Sequence, residues 1–64
     1  RIESLTPAER KVMDRVVKGE SNKVMARRLR VSVRTIEVRR SNIFKKTGTD
    51  SVAALVREYL RLNS

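Results

Sequence analysis

A chain of 64 residues makes one small domain that buries only about 60% of its unfolded surface and has no room for a deep active site. With no Cys and no His it carries no disulfide framework, no thiolate nucleophile and no imidazole for metal ligation or neutral-pH base catalysis, so stability has to come from helix packing. Its +9 net charge is unevenly held: Lys+Arg against Asp+Glu is 5 against 4 over residues 1–20, 9 against 1 over 21–46 and 2 against 2 over 47–64.

In chain order the pattern predicts four helices and no strands, an all-α domain. Thr6-Pro7-Ala8-Glu9 opens the first helix: Thr as N-cap, Pro at the first helical position and Glu three residues after the cap make a capping box. That helix is expected to run to about Lys18 with Val12, Met13, Val16 and Val17 in the core, ended by Gly19. Ser21 caps a second, shorter helix through about Leu29, lined on its inner side by Met25, Ala26 and Leu29. Arg30-Val31 makes the turn.

Ser32 caps the third helix, from Val33 to about Thr47, and Gly48 stops it. Ile36, Ile43 and Thr47 point inward, with Arg39 or Arg40 filling the turn between them. On the opposite face Arg34, Val38, Ser41 and Lys45 follow i, i+4, i+7, i+11 and so lie along one line, flanked by Glu37 and Asn42. The fourth helix spans about 51–62. It carries two apolar stripes, Val52, Leu55, Tyr59 and Leu62 on one side and Ala53, Val56 and Leu60 on the other. One stripe can face the core and one a partner; the alternative is that both are buried in the monomer.

Two short helices broken by a polar turn, the second rich in Arg and Lys, read as a helix-turn-helix. A duplex is a dense row of phosphates, so a cationic surface confined to one element points to a docking face, against the plainer reading of a solvated helix. No apolar run approaches the ~20 residues that would span a bilayer, and the start lacks a signal peptide's apolar core, so an intracellular, cytoplasmic location is expected. The chain opens on Arg1, not Met, and is expected to be a single DNA-binding domain, 1–64, cut from the C-terminal end of a longer regulator.

Leu5-Thr6-Pro7-Ala8-Glu9-Arg10, Ser21-Asn22-Lys23 with Ala26 and Leu29, Arg34-Thr35-Ile36-Glu37-Val38 and Arg40-Ser41-Asn42-Ile43 together resemble the LuxR/FixJ-type DNA-binding domain, in order, over almost the whole chain. The resemblance implies a four-helix domain of bacterial transcription regulators, usually placed after a receiver or ligand-binding domain. The Arg-Thr-Ile-Glu-Val run is closer to FixJ-like response regulators than to quorum sensors. It also implies a homodimer formed through helix four on an inverted repeat of double-stranded DNA; RNA polymerase is a further expected partner. Three positions depart from the family pattern. Arg39 stands where His is usual, and its guanidinium is expected to reach a phosphate or a carboxylate elsewhere, such as Glu9. Arg30 stands where Gly or Asn is common, at a cost of about 1 kcal/mol if the backbone is left-handed. Val24 replaces a polar residue at the surface.

A major groove about 12 Å wide admits one α-helix, and side chains in its N-terminal half then reach base edges. Glu37, Val38 and Ser41 are the candidate base contacts: Glu accepts from a cytosine amino group, Val touches a thymine methyl, Ser donates or accepts. Glu37 has a second reading, an intrahelical pair with Arg34 or Arg40. Asn22, Lys23, Arg34, Thr35, Arg40 and Lys45 are the candidate phosphate contacts, with Arg27, Arg28 and Lys46 weaker. Val52, Ala53, Val56 and Leu60 are the candidate dimer contact. No catalytic residue, metal or cofactor is expected, since the acids show no paired arrangement. The competing readings are a sigma-factor-like promoter-reading module and a cationic membrane-binding module; the latter lacks a bulky aromatic face, with only Tyr59 and Phe44 in the chain.

Overall fold

The computed structural model describes the backbone of residues 4–63 and the side chains of residues 4–61. Four helices follow one another: α1 (Pro7–Val17), α2 (Asn22–Leu29), α3 (Val33–Thr47) and α4 (Val52–Asn63). There is no strand among the described residues.

Each helix starts where its cap chemistry dictates. The Thr6 hydroxyl accepts from the Glu9 amide at 3.1 Å while the Thr6 amide donates to Glu9 Oε1 at 3.0 Å, so both bonds of the capping box form. The hydroxyls of Ser21, Ser32 and Ser51 accept from the amides of Val24, Thr35 and Ala54 at 3.2, 3.0 and 3.1 Å. Gly19 (φ 87°) follows α1 and Gly48 (φ 69°) ends α3, both left-handed, where a Cβ would be strained. Arg30, which ends α2, is left-handed too (φ 59°, ψ 45°), and as a non-Gly residue it carries that strain.

The core is assembled from all four helices and the segment before them: Leu5, Val12, Met13, Val16, Met25, Ala26, Ile36, Ile43 and Leu55 are buried. α3 is the central element, packing on α1 and α2, with α4 laid across α1 and α3. Its inner face is the expected one, Ile36, Ile43 and Thr47 all buried; the Thr47 hydroxyl is satisfied by donating to the Ile43 carbonyl at 2.7 Å. Val17 and Leu29, expected in the core, are only partly buried at its edge. Each is the last residue of its helix.

α4 settles which of its stripes faces inward. Leu55 is buried and Tyr59 packs against the core, while Val52, grouped with them by spacing, is the first residue of the helix and 40% exposed. Leu62 lies outside the described side chains. The second stripe is not buried in the monomer: Ala53 is exposed, Leu60 is 59% exposed and Val56 is partly buried.

Candidate nucleic-acid interface

Because α3 spends its inner face on the core, the side opposite is free, and its helical period sets the residues there in a row. Arg34, Glu37, Val38, Ser41 and Lys45 are all exposed. With the partly buried Asn42 they line one shallow depression of about 280 Å³. The ridge read from the sequence is therefore a single continuous surface. Val38, 43% exposed, is its one large apolar side chain.

The intrahelical pair anticipated for Glu37 forms, and it leaves the carboxylate accessible. Arg34 Nη1 lies 3.6 Å from Glu37 Oε1, yet the two side chains remain 82% and 50% exposed. A surface pair of this kind contributes about 0–1 kcal/mol, so it orients the carboxylate without using it up. Arg34 is the partner; Arg40 faces elsewhere.

The candidate phosphate contacts divide by their surroundings. Lys23 and Lys45 are exposed, and among the described residues neither enters an ion pair. Thr35 is partly buried, its hydroxyl 2.9 Å from that of Ser32, so it belongs to the start of α3 as well as to its surface. Arg40 and Asn22, 18 positions apart, meet: Arg40 Nη1 donates to Asn22 Oδ1 at 2.9 Å, and the guanidinium carbon lies 6.0 Å from the centre of the Phe44 ring. Spacing gave no sign of that bond, since it depends on how α2 crosses α3.

Several cations turn away from this surface. Lys46 Nζ donates to Glu9 Oε1 at 2.8 Å, tying the end of α3 to the start of α1, and Glu9 is buried. The carboxylate anticipated for Arg39 is thus taken by Lys46. Arg39 lies seven positions earlier, on the same side of α3 but two turns nearer its start, and is partly buried there, so the cation at the end of the helix is the one that reaches Glu9. Glu20 receives Arg15 at 3.2 Å and Arg28 at 3.7 Å. Lys46 and Arg28, two of the three weaker phosphate candidates, therefore have carboxylate partners within the domain, while the third, Arg27, is exposed. The burial of Glu9 was legible, because it precedes Val12 and Met13 by three and four positions and so shares their face.

The electrostatics follow from these partners. The Lys46 ammonium, then the Thr6 amide, hold the Glu9 carboxyl below its ordinary value, and Glu9 is ionised at neutral pH despite its burial. The Tyr59 hydroxyl donates to Asp14 Oδ1 at 2.7 Å; this bond, and then Lys18, depress Asp14, while the same bond raises the Tyr59 phenol. The first cluster braces α1 against α3 and the second braces α1 against α4. Among the described residues no group of three or more His, Cys, Asp or Glu could hold a metal ion, and no helix is long and apolar enough to cross a membrane.

Residues 3–59 match the model of a family described as bacterial regulatory proteins, luxR family. The chain is 46% identical over 61 residues to the transcriptional regulatory protein FixJ of Bradyrhizobium diazoefficiens, covering 95% of this chain and 30% of that protein. It is 36% identical over 62 residues to the tetrathionate response regulatory protein TtrR of Salmonella typhimurium, covering 97% and 30%. To a response regulator of Synechocystis it is 48% identical over 52 residues, covering 81% and 22%. The chain thus spans less than a third of the length of each of these relatives. No solved structure gives a significant match.

Proposed function

The chain belongs to the luxR family of bacterial regulatory proteins, a non-enzymatic class that binds DNA in transcription regulation, and from that premise we propose how it does so. α3 enters the major groove with Glu37, Val38 and Ser41 against base edges. Lys23, Arg34, Arg40 and Lys45 hold the flanking phosphates, with Thr35 and Asn22 beside them. Phosphate contacts position the helix; the three ridge residues between them read the sequence. The observation that carries this reading is the exposed ridge itself, four side chains in one row with Glu37 beside them, on the helix that the rest of the fold supports.

The outward stripe of α4, Val52, Ala53, Val56 and Leu60, pairs with the same stripe of a second copy. Two recognition helices then fall on an inverted repeat in successive turns of the groove. In the full-length regulator, a cytoplasmic protein, a receiver or sensor domain precedes this one, and RNA polymerase is a further partner. The similarity to regulators about three times as long as this chain supports a preceding domain.

Selection from random duplex DNA at near-physiological salt tests the proposal, because counterion competition weakens nonspecific binding there. The expected outcome is enrichment of an inverted repeat. Enrichment of a single half-site would remove the α4 contact and leave the reading of α3 intact. Tight binding at low salt with no enriched sequence would remove the base contacts.

A further inference from the structure

We infer that Asn22 is a positioning residue for Arg40, the two forming a clamp between α2 and α3 that holds one guanidinium ready for a duplex phosphate. The inference rests on the DNA-binding reading and refines it: Asn22 acts through Arg40, and does not hold a phosphate itself.

The chemistry of the pair decides this. A long Arg side chain loses rotamer freedom when it is fixed on a phosphate, and that loss weakens binding unless the free protein already holds it. Arg40 is held from two directions, by Asn22 Oδ1 at 2.9 Å and by the Phe44 ring at 6.0 Å, and it is partly buried. Neither contact cancels its charge. An amide oxygen is a neutral acceptor, and a guanidinium has five N–H donors, so one bond to Asn22 leaves the others for an anion. The contrast with neighbouring cations is direct. Lys46 meets the carboxylate of Glu9 at 2.8 Å and Arg28 faces that of Glu20, so their charge is answered within the domain. Arg40 alone in α3 is fixed by a neutral partner on another helix, which is what a preorganised anion contact requires.

Asn22→Ala and Asn22→Asp separate orientation from charge. Asn22→Ala frees the guanidinium but keeps its charge, so duplex affinity falls about threefold to tenfold while the salt slope stays within a fraction of a contact. Asn22→Asp keeps the acceptor and neutralises the cation, so the slope falls by up to about 0.9. Arg40→Ala loses both affinity and about 0.9 of slope. The deciding measurement is the double variant Asn22→Ala/Arg40→Ala, which should bind as well as Arg40→Ala alone, within about twofold. Additive losses would mean that Asn22 meets DNA by itself and overturn the clamp, leaving the DNA reading standing. A wild-type chain with no affinity for duplex would overturn both. A second measurement needs no DNA: side-chain NMR of the free domain should show a restrained Arg40 Nε–H that becomes averaged in Asn22→Ala. An Arg40 signal unchanged by that substitution would overturn the inference even if the variant lost stability.

Discussion

α3 and α4 pack into the same core, Ile36 and Ile43 from one and Leu55 from the other, yet they turn opposite chemistry outward. α3 shows Arg34, Glu37, Ser41 and Lys45 around one apolar side chain, Val38. α4 shows Val52, Ala53 and Leu60, and the charge of its Arg61 is met by Glu58 one turn away. The difference teaches that outward composition, once the core is satisfied, separates two kinds of partner. A polar ridge with one cation, Lys45, outside any ion pair among the described residues, and a second, Arg34, in a loose and exposed pair suits an anionic polymer. An apolar stripe beside an internal ion pair, Arg61 with Glu58, suits another protein surface, and in the proposed dimer its occupant is an identical stripe.

The largest effect should come from breaking what the two helices share. Ile43→Ala removes a side chain that is 1% exposed at the centre of the core and should cost about 2–5 kcal/mol, enough to unfold most of a domain this small. Leu60→Ser, on the outward stripe, should stay within about 0.5 kcal/mol in the same urea titration. Equal losses would erase the distinction between inner and outer faces of α4.

The two outward faces should then fail in different ways. Lys45→Ala is expected to weaken binding to every duplex about threefold to tenfold and to lower the salt slope by about 0.9, measured by titrations between low and physiological salt. An unchanged slope would take Lys45 out of the interface. Leu60→Ser should leave single half-site affinity and slope alone while paired half-sites lose a cooperative advantage of roughly fivefold or more. If Leu60→Ser weakens the single half-site as well, α4 supports α3 and is not a separate contact.

Acid stability sharpens the contrast between inward and outward charge. Glu9 and Asp14 are both depressed, so each contributes stability that is fully present above the ordinary carboxylate values of 4.5 and 3.8 and is lost as pH falls through the lower folded values. Thermal melts should be nearly flat from pH 7 to about pH 5 and decline below. Glu9→Gln should cost about 1 kcal/mol at pH 7 and make the acid decline shallower, without weakening duplex binding. An unchanged decline in the variant would mean that Glu9 is not among the groups that titrate.

What was legible in the sequence is what depends on neighbours along the chain. Thr6, Ser21, Ser32 and Ser51 cap their helices because an N-cap needs only a side-chain oxygen three residues before its amide. The α3 ridge was legible because 3.6 residues per turn sets it. The bonds that brace the domain were not: Asn22 to Arg40, Glu9 to Lys46 and Asp14 to Tyr59 join residues 18, 37 and 45 apart. Each depends on crossing angles that core packing decides, and local pattern carries no record of them. The exposed side of α4 sits between these cases, since spacing defined two stripes and only packing against α1 could choose between them.

The smallest effect concerns the turn that joins the two helices of the motif. Arg30 holds φ 59° and ψ 45°, where an L residue pays roughly 1–2 kcal/mol relative to its right-handed form. Arg30→Gly removes that strain but gives back about 0.4–1 kcal/mol, because glycine also gains freedom in the unfolded chain. The net should be a stabilisation near 0.5 kcal/mol, read as a small rise in the urea midpoint. What the variant does to DNA then locates the edge of the cationic face. Raised stability with unchanged affinity and slope confines that face to α3 and the start of α2, and makes Arg30 a tolerated cap. Raised stability with a slope lower by about 0.9 extends the face into the turn, and the strain at Arg30 is then retained because its charge reaches a phosphate.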